Sequence, residues 1–422
     1  MFHAAAPVST AGGIQPYAAG LLSLDPLMTP RFARRMDRVK PSAIRELLRL
    51  GADPSVMSFG GGYPDATLFP IEAMARAFEQ AISGAGQVSL QYTVSNGLPR
   101  LRQQVAERMR ADGVACDEDT VLILQGGQQG LDLAAKMLID KDDVIITESP
   151  TFLGGLIAFN PYEPRYAAIP MDGEGMDMAA LETVLRATPR ARMLYTVPDF
   201  HNPTGVTMSL ARRHRLIELA NEFDLIVIED TPYRELRYEG ARVPTLKSLD
   251  TEGRVIFLGS FSKILAPGLR LGWAVASEAL IQPLGLLKLA ADTQCSTLNM
   301  AAVSLLLETF DVEGHIDTIR RTYKRKKTVM LDTIRREFPQ DVTFTDPEGG
   351  LFTWLTFPEG FDTARFMAEE ALPKARVAYV PGATFFATCE EHNHARLSYS
   401  SASDEVIVAG MTALGQLLKR SA

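Results

Sequence analysis

FLGSFSKILAPGLRLGW, residues 257–273, begins as the end of an apolar run, then sets Lys263 between serine and isoleucine and Arg270 seven positions further on. Lysines mostly sit exposed, so Lys263 taken alone reads as a solvated loop residue. A lysine and an arginine on serine- and glycine-punctuated backbone just past a buried strand leave that reading open to challenge. The residues at the chain's other strand ends decide the matter.

Four more runs have the same form: TVLILQ (120–125), DVIITES (143–149), RMLYTVPDF (192–200) and LIVIEDTPY (225–233), with RVIFLGS (254–260) leading into the opening stretch. Each is a nearly continuous apolar segment, the pattern of a strand covered on both faces. Helically spaced segments, LPRLRQQVAERMRADG, LDLAAKMLI and SLARRHRLIELANEFD, lie among them. The alternation predicts an α/β fold with a large, doubly wound, mostly parallel sheet. After a charge-laced helical stretch at about 312–338 the style changes. VTFTDPEGGLFTWLTF, ARVAYVPGATFF and ARLSYSSAS read as strands of a smaller α+β domain. The expected organisation is a loose arm at 1–30, a large domain at 58–312, and a small domain built from 31–57 and 313–422.

Length and composition agree. A chain of 422 residues exceeds the size at which one core stops growing. It is 46% hydrophobic and 22% charged, an ordinary globular profile. The net charge of −8 argues against a nucleic-acid footprint or an anionic-membrane binder. Cys116, Cys295 and Cys389 lack paired spacing for zinc or disulfides, which points to a reducing compartment. The first thirty residues lack a signal peptide's basic and apolar regions, and no run is long enough to span a bilayer. A cytoplasmic location is expected.

In open α/β sheets ligands bind beyond the carboxyl ends of the strands. Here those ends carry Gly126-Gly127-Gln128-Gln129-Gly130, then His201-Asn202-Pro203-Thr204-Gly205, then Asp230 and Tyr233, then Ser260, Ser262, Lys263 and Arg270. Singly, each has a plain reading. GGQQG is a tight turn or, as a helix opening, a phosphate cradle. NPTG is turn chemistry. Asp230 is a cap or the partner of a buried cation, since burial unpaired is costly. Together they suit one ligand, an aromatic aldehyde with a phosphate and a basic ring nitrogen: pyridoxal 5′-phosphate.

The set resembles the fold-type I, class I/II aminotransferases, in particular the branch of the 2-aminoadipate and kynurenine aminotransferases. The resemblance runs from about residue 35 to the end. It is carried by MSFGGGYPD (57–65), LQYTVSNGLPRLR (90–102), GGQQG, YTVPDFHNPTG (195–205), IEDTPYREL (228–236), GSFSKILAPGLRLGW (259–273), PEGGLFTW (347–354) and ARLSYSSAS (395–403). It implies that Lys263 binds the cofactor covalently and moves the proton at the substrate α-carbon. Asp230 is implied to pair with the ring nitrogen, and Asn202 and Tyr233 with the ring oxygen. Arg270, Ser260, Ser262, Gln128 and the Gly127 backbone are implied to hold the phosphate, with Tyr92 reaching it from the neighbouring subunit of a homodimer. Phe152 is implied to stack on the ring. Arg396 would clamp the substrate α-carboxylate under a segment hinged at Gly61 or Gly62, and Arg45 would meet a side-chain carboxylate.

Two departures from the pattern stand out. Gly127 occupies a position where near relatives have serine, and Phe152 one where they commonly have tyrosine. The expected reaction is amino transfer from an L-amino acid to a 2-oxo acid, with 2-oxoglutarate and glutamate as one couple. A lyase, racemase, synthase or amino-acid oxidase on the same scaffold is the alternative. A ligand sensor fused to a winged-helix domain is disfavoured, because only some thirty to forty residues precede the homologous region. His392-x-His394 lacks further ligands, so no metal is expected. The basic run RRTYKRKK (320–327) is expected to be a solvated face or an interdomain contact.

Overall fold

The computed structural model describes residues 31–39, 53–389 and 391–421. Its strands in chain order are β1 (Met57–Ser58), β2 (Val121–Leu124), β3 (Val144–Ser149), β4 (Arg165–Asp172), β5 (Gly175–Met176), β6 (Ala191–Thr196) and β7 (Ile226–Asp230). Next come β8 (Val255–Ser260), β9 (Gly272–Val275), β10 (Thr343–Phe344), β11 (Phe352–Thr356), β12 (Val377–Ala378), β13 (Val380–Pro381) and β14 (His394–Ser398). The helices that bear on the site are α1 (Gly127–Leu138), α2 (Leu210–Glu222), α3 (Glu278–Asp292), α4 (Thr297–Thr309), α5 (Val312–Glu337) and α6 (Asp404–Ser421).

Eight strands form one sheet in the order β2-β9-β8-β7-β6-β3-β4-β5. Pairing is parallel from β8 through β7, β6 and β3 to β4, and antiparallel at β2/β9, β9/β8 and β4/β5. Two reversals around β9 restore the strand direction, so β2 runs the same way as β8. The carboxyl ends of β2, β3, β6, β7 and β8 therefore share one edge. The apolar runs are buried as their composition requires: Ile228 and Ile256 are inaccessible to solvent. Each such side chain contributes about 1.5–3 kcal/mol by leaving water.

The antiparallel sheet β10-β11-β14-β13 stands apart from the large sheet, and β1 pairs with β12 in parallel. ARVAYVPGATFF is thus two short strands that join different partners, where the sequence suggested one. The strands β4 and β9 had drawn no expectation. One apolar core runs from Leu122 and Ile256 in the large sheet to Leu355, Leu397 and Leu414. The basic run on α5 faces acids on other elements: Lys326 meets Asp65 at 2.6 Å, Lys327 meets Asp346 at 2.9 Å, and Arg320 meets Glu235 at 3.3 Å. Among the described residues no helix is long and apolar enough to cross a membrane.

Candidate active site

β8 ends at Ser260, whose Oγ accepts the Ser262 N–H at 3.1 Å and closes the turn that presents Lys263. The amine donates to Gly62 O at 2.7 Å. Among the described residues it has no carboxylate partner. Burial, then the charges of Arg396 and Arg270, brings its pKa down to about 8. At neutral pH an appreciable fraction is the unprotonated nucleophile.

The return along β9 brings Arg270 to the first turn of α1. It donates to Gln125 O at 3.1 Å and to Pro267 O at 3.4 Å. A Cβ on Gly126, whose φ is +79°, would stand 2.8 Å from the guanidinium. Only glycine accommodates both the backbone and the arginine there. The unpaired N–H groups opening α1 and the adjacent guanidinium together form a cradle for a phosphate-sized anion. Gln128 is exposed, and its side-chain amide donates to Gly154 O at 2.8 Å. That bond ties the cradle to the segment carrying Phe152, whose ring lies 2.4 Å from where a Gly154 Cβ would be.

At the end of β7, Asp230 is 5% exposed and accepts a hydrogen bond from Tyr195 Oη at 2.9 Å. Burial raises its pKa to about 7 against the opposing effect of the tyrosine, with Glu148 adding to the rise. Its Oδ1 lies 3.8 Å from where a Cβ on Gly127 would stand. The departure at Gly127 thus leaves bare backbone opposite the carboxylate. Among the described residues Asp230 has no cationic partner.

Asn202 links two ligand-facing groups. Its Nδ2 donates to Tyr233 Oη at 3.0 Å, and its Oδ1 accepts from Arg396 Nη1 at 2.8 Å. Burial pushes Tyr233 up to about 12, keeping it a neutral phenol. Beneath, Glu148 accepts from Thr196 Oγ1 at 2.6 Å and Val197 N at 3.1 Å, and lies 3.1 Å from His201 Nε2. Asp199 pairs with Arg213 at 2.8 Å and Arg234 at 2.9 Å, which fixes the loops bearing Asn202 and Tyr233 against each other.

Arg396 sits mid-strand in β14, opposite Trp354 and Val380. Its guanidinium lies over Phe352 at 4.2 Å and Phe385 at 5.0 Å, and Nη2 donates to Gly60 O at 2.6 Å. Its buried Nε has no hydrogen-bond partner among the described residues. Burial lowers its pKa to about 10, so it stays a cation with unsatisfied donor capacity. Gly62 faces the Phe352 ring at 3.0 Å, and Gly61 faces Tyr63 at 2.5 Å, each measured from an added Cβ.

The structure thus brings Lys263, Asp230, Asn202, Tyr233, Arg270, Ser260, Ser262, Gly127, Gln128, Phe152, Arg396, Gly61 and Gly62 to one sheet edge and the strand facing it. Tyr92 is elsewhere: it is 80% exposed, among exposed Val88, Leu90 and Val94. Arg45 lies outside the described residues. Sequence reading missed Tyr195, Glu148 and Asp199. A tyrosine within the apolar β6 looks like core, and Glu148 looks like the strand's polar end. A buried amine lacking an anion, a buried carboxylate lacking a cation and an anion cradle fit the carbonyl, ring nitrogen and phosphate of pyridoxal 5′-phosphate. The fold and these residues define a fold-type I pyridoxal-phosphate enzyme.

Comparison with known proteins agrees. The model of the family "Aminotransferase class I and II" matches residues 54–414. Aromatic-amino-acid aminotransferase 1 of Thermococcus litoralis is 39% identical over 393 residues, 92% of this chain and 94% of the relative. The 2-aminoadipate transaminase of Thermus thermophilus is 41% identical over 391 residues, 92% and 96% of the two chains. The structure of LysN, an α-aminoadipate aminotransferase from Thermus thermophilus complexed with N-(5′-phosphopyridoxyl)-L-leucine, superposes with a TM-score of 0.85. It is 38% identical, and the match covers 92% of this chain and 97% of that one. The chain belongs to the class I and II aminotransferase family. It is a pyridoxal-phosphate-dependent transaminase.

Proposed function

We propose that this transaminase exchanges glutamate and 2-oxoglutarate as one couple, in two half-reactions, with a broad partner that includes 2-aminoadipate and aromatic amino acids. The names of the Thermus and Thermococcus relatives support the partner range. The observation that carries the chemistry is the presence on one sheet edge of a buried amine at Lys263 bonded only to a backbone carbonyl and a buried carboxylate at Asp230 bonded only to a tyrosine hydroxyl among the described residues.

Pyridoxal phosphate, when bound, supplies an electrophilic carbon and a ring that absorbs negative charge from the substrate α-carbon. Lys263 would hold the cofactor through its amine and would carry the proton at the substrate α-carbon. Asp230 holds the ring nitrogen protonated, and Asn202 and Tyr233 hold the ring oxygen. Arg270, Ser260, Ser262, Gln128 and the Gly127 N–H hold the phosphate, while Phe152 covers the ring. Arg396 orients the substrate through its α-carboxylate, with Gly61 and Gly62 allowing the 57–65 segment to close. Arg45 recognises a side-chain carboxylate. The exposed apolar stretch around Tyr92 supports a homodimer in which Tyr92 completes the neighbour's phosphate site. The division into a large domain at 58–312 and a small one from 31–57 and 313–422 belongs to the same reading, as does a cytoplasmic location.

The test tracks the visible absorption of the purified protein as single amino acids are added without a 2-oxo acid. Conversion of the cofactor from its aldehyde to its amine form, with one equivalent of the matching 2-oxo acid, is expected. Oxygen uptake or released ammonia in its place would move the protein to another reaction on this scaffold.

A further inference from the structure

We infer that Gln294 is a positioning residue that acts on the neighbouring subunit's active site, by clamping the backbone from which Tyr92 projects. This rests on the proposed homodimer in which Tyr92 crosses to its neighbour. Gln294 Oε1 accepts the Thr93 N–H at 2.5 Å, and its Nε2 donates to Thr297 Oγ1 at 2.7 Å. Thr297 in turn donates to Gln91 O at 2.8 Å. The residues on both sides of Tyr92 are therefore bonded to one short segment some two hundred positions later. Tyr92 itself makes no side-chain hydrogen bond among the described residues and stands 80% exposed. Its direction is set by the backbone that Gln294 and Thr297 hold.

The clamp has a defined origin. It begins where α3 ends, at Thr293, a β-branched residue held at φ +62°. That backbone is unfavourable for threonine and persists where neighbours enforce it. Immediately before it, Asp292 accepts from Lys288 Nζ at 2.7 Å and from Gln129 Nε2 at 2.7 Å, while Gln129 Oε1 accepts from Gln125 N at 2.8 Å. Gln125 and Gln129 flank the subunit's own cradle. One helix end therefore anchors both the cradle a subunit keeps and the tyrosine it lends.

A residue that works through the neighbour can be told from one that works at home by making mixed dimers. Borohydride fixes pyridoxal phosphate to the lysine that holds it, so the mass of the peptide containing residue 263 reports labelling at Lys263, which only the Gln294→Ala chain of the mixed dimer carries. In Gln294→Ala homodimers, the pyridoxal-phosphate concentration giving half labelling should rise about tenfold, the equivalent of one weakened charge-assisted contact. When that chain is paired with a Lys263→Ala chain, its lysine receives Tyr92 from a subunit whose Gln294 is intact. Labelling of the Gln294→Ala chain should then return to the parent value. Persistent weak labelling in the mixed dimer would overturn the inference by placing the effect within the subunit, and so would unchanged labelling of the homodimer. Tyr92→Phe, run identically, separates the two levels. If Tyr92→Phe is weakened and rescued but Gln294→Ala is not, the clamp fails alone. If Tyr92→Phe has no effect, the crossed-tyrosine reading fails and takes the clamp with it.

Discussion

Arg396 and Asn202 are joined by a 2.8 Å hydrogen bond that links the small antiparallel sheet to a loop of the large one. The arginine proposed to hold the substrate carboxylate thus touches the asparagine proposed to hold the cofactor ring. Substrate engagement and ring position are coupled through one amide.

Arg396→Gln should therefore damage both. The loss of a buried, charge-assisted carboxylate contact predicts a fall in kcat/KM of about a hundredfold or more, from a cost of about 3 kcal/mol. It should also raise the pH at which the apoprotein captures pyridoxal phosphate. Lys263 reacts as the neutral amine, so capture should accelerate through a midpoint of about 8, set partly by the charge of Arg396. Removing that charge moves the midpoint upward. Stopped-flow absorbance against pH checks both statements, and an unchanged midpoint would disprove the electrostatic part.

Lys263→Ala should fold with unaltered circular dichroism and lose turnover by at least about four orders of magnitude, as expected when a covalent catalyst is removed. Normal activity in that variant would refute the site.

Tyr195→Phe removes the hydroxyl that holds Asp230 Oδ2. Since that hydroxyl lowers the carboxyl pKa, its loss should push Asp230 further up and weaken cofactor binding below pH 7. The predicted effect is about tenfold, for a cost of about 1.4 kcal/mol, and titration of the apoprotein measures it. Equal affinities from about pH 6 to about pH 8 would show that the bond is dispensable.

Asp230→Asn tests the cost of the buried carboxylate directly. The folded-state pKa, about 7, lies above the ordinary value of 3.8. Stability associated with the bound proton is thus fully present below 3.8 and is lost as pH rises through 7. The apoprotein of the variant should match the parent near pH 4 and exceed it above pH 7, by on the order of 3 kcal/mol. Denaturant unfolding at the two pH values decides it, and a variant no more stable at high pH contradicts the account.

Five strands of the large sheet, β2, β3, β6, β7 and β8, could be read from their apolar continuity, and the site from the polar residues just past their carboxyl ends. Lys263, Asp230 and Asn202 were visible because polar residues ended runs that otherwise had none. Tyr195 was invisible for the converse reason, since an aromatic inside a strand matches core packing until its hydroxyl is seen against Asp230. The antiparallel β9 escaped because Gly272–Val275 opens on a glycine and carries no turn signal of its own. Arg396 emerged only through resemblance, as nothing in the local pattern of β14 marks an arginine at its centre as buried.

That short strand β9 has a consequence of its own. Because β8 and β9 pair antiparallel with Ser260 opposite Gly272, residues 261–271 form a closed span with both feet fixed. Lys263 and Arg270 stand on that span as the jaws of a caliper whose opening is set by loop length. Changing the number of residues between them would reset the gauge while keeping both cations in the chain, so the spacing is as much a part of the site's chemistry as the two cations.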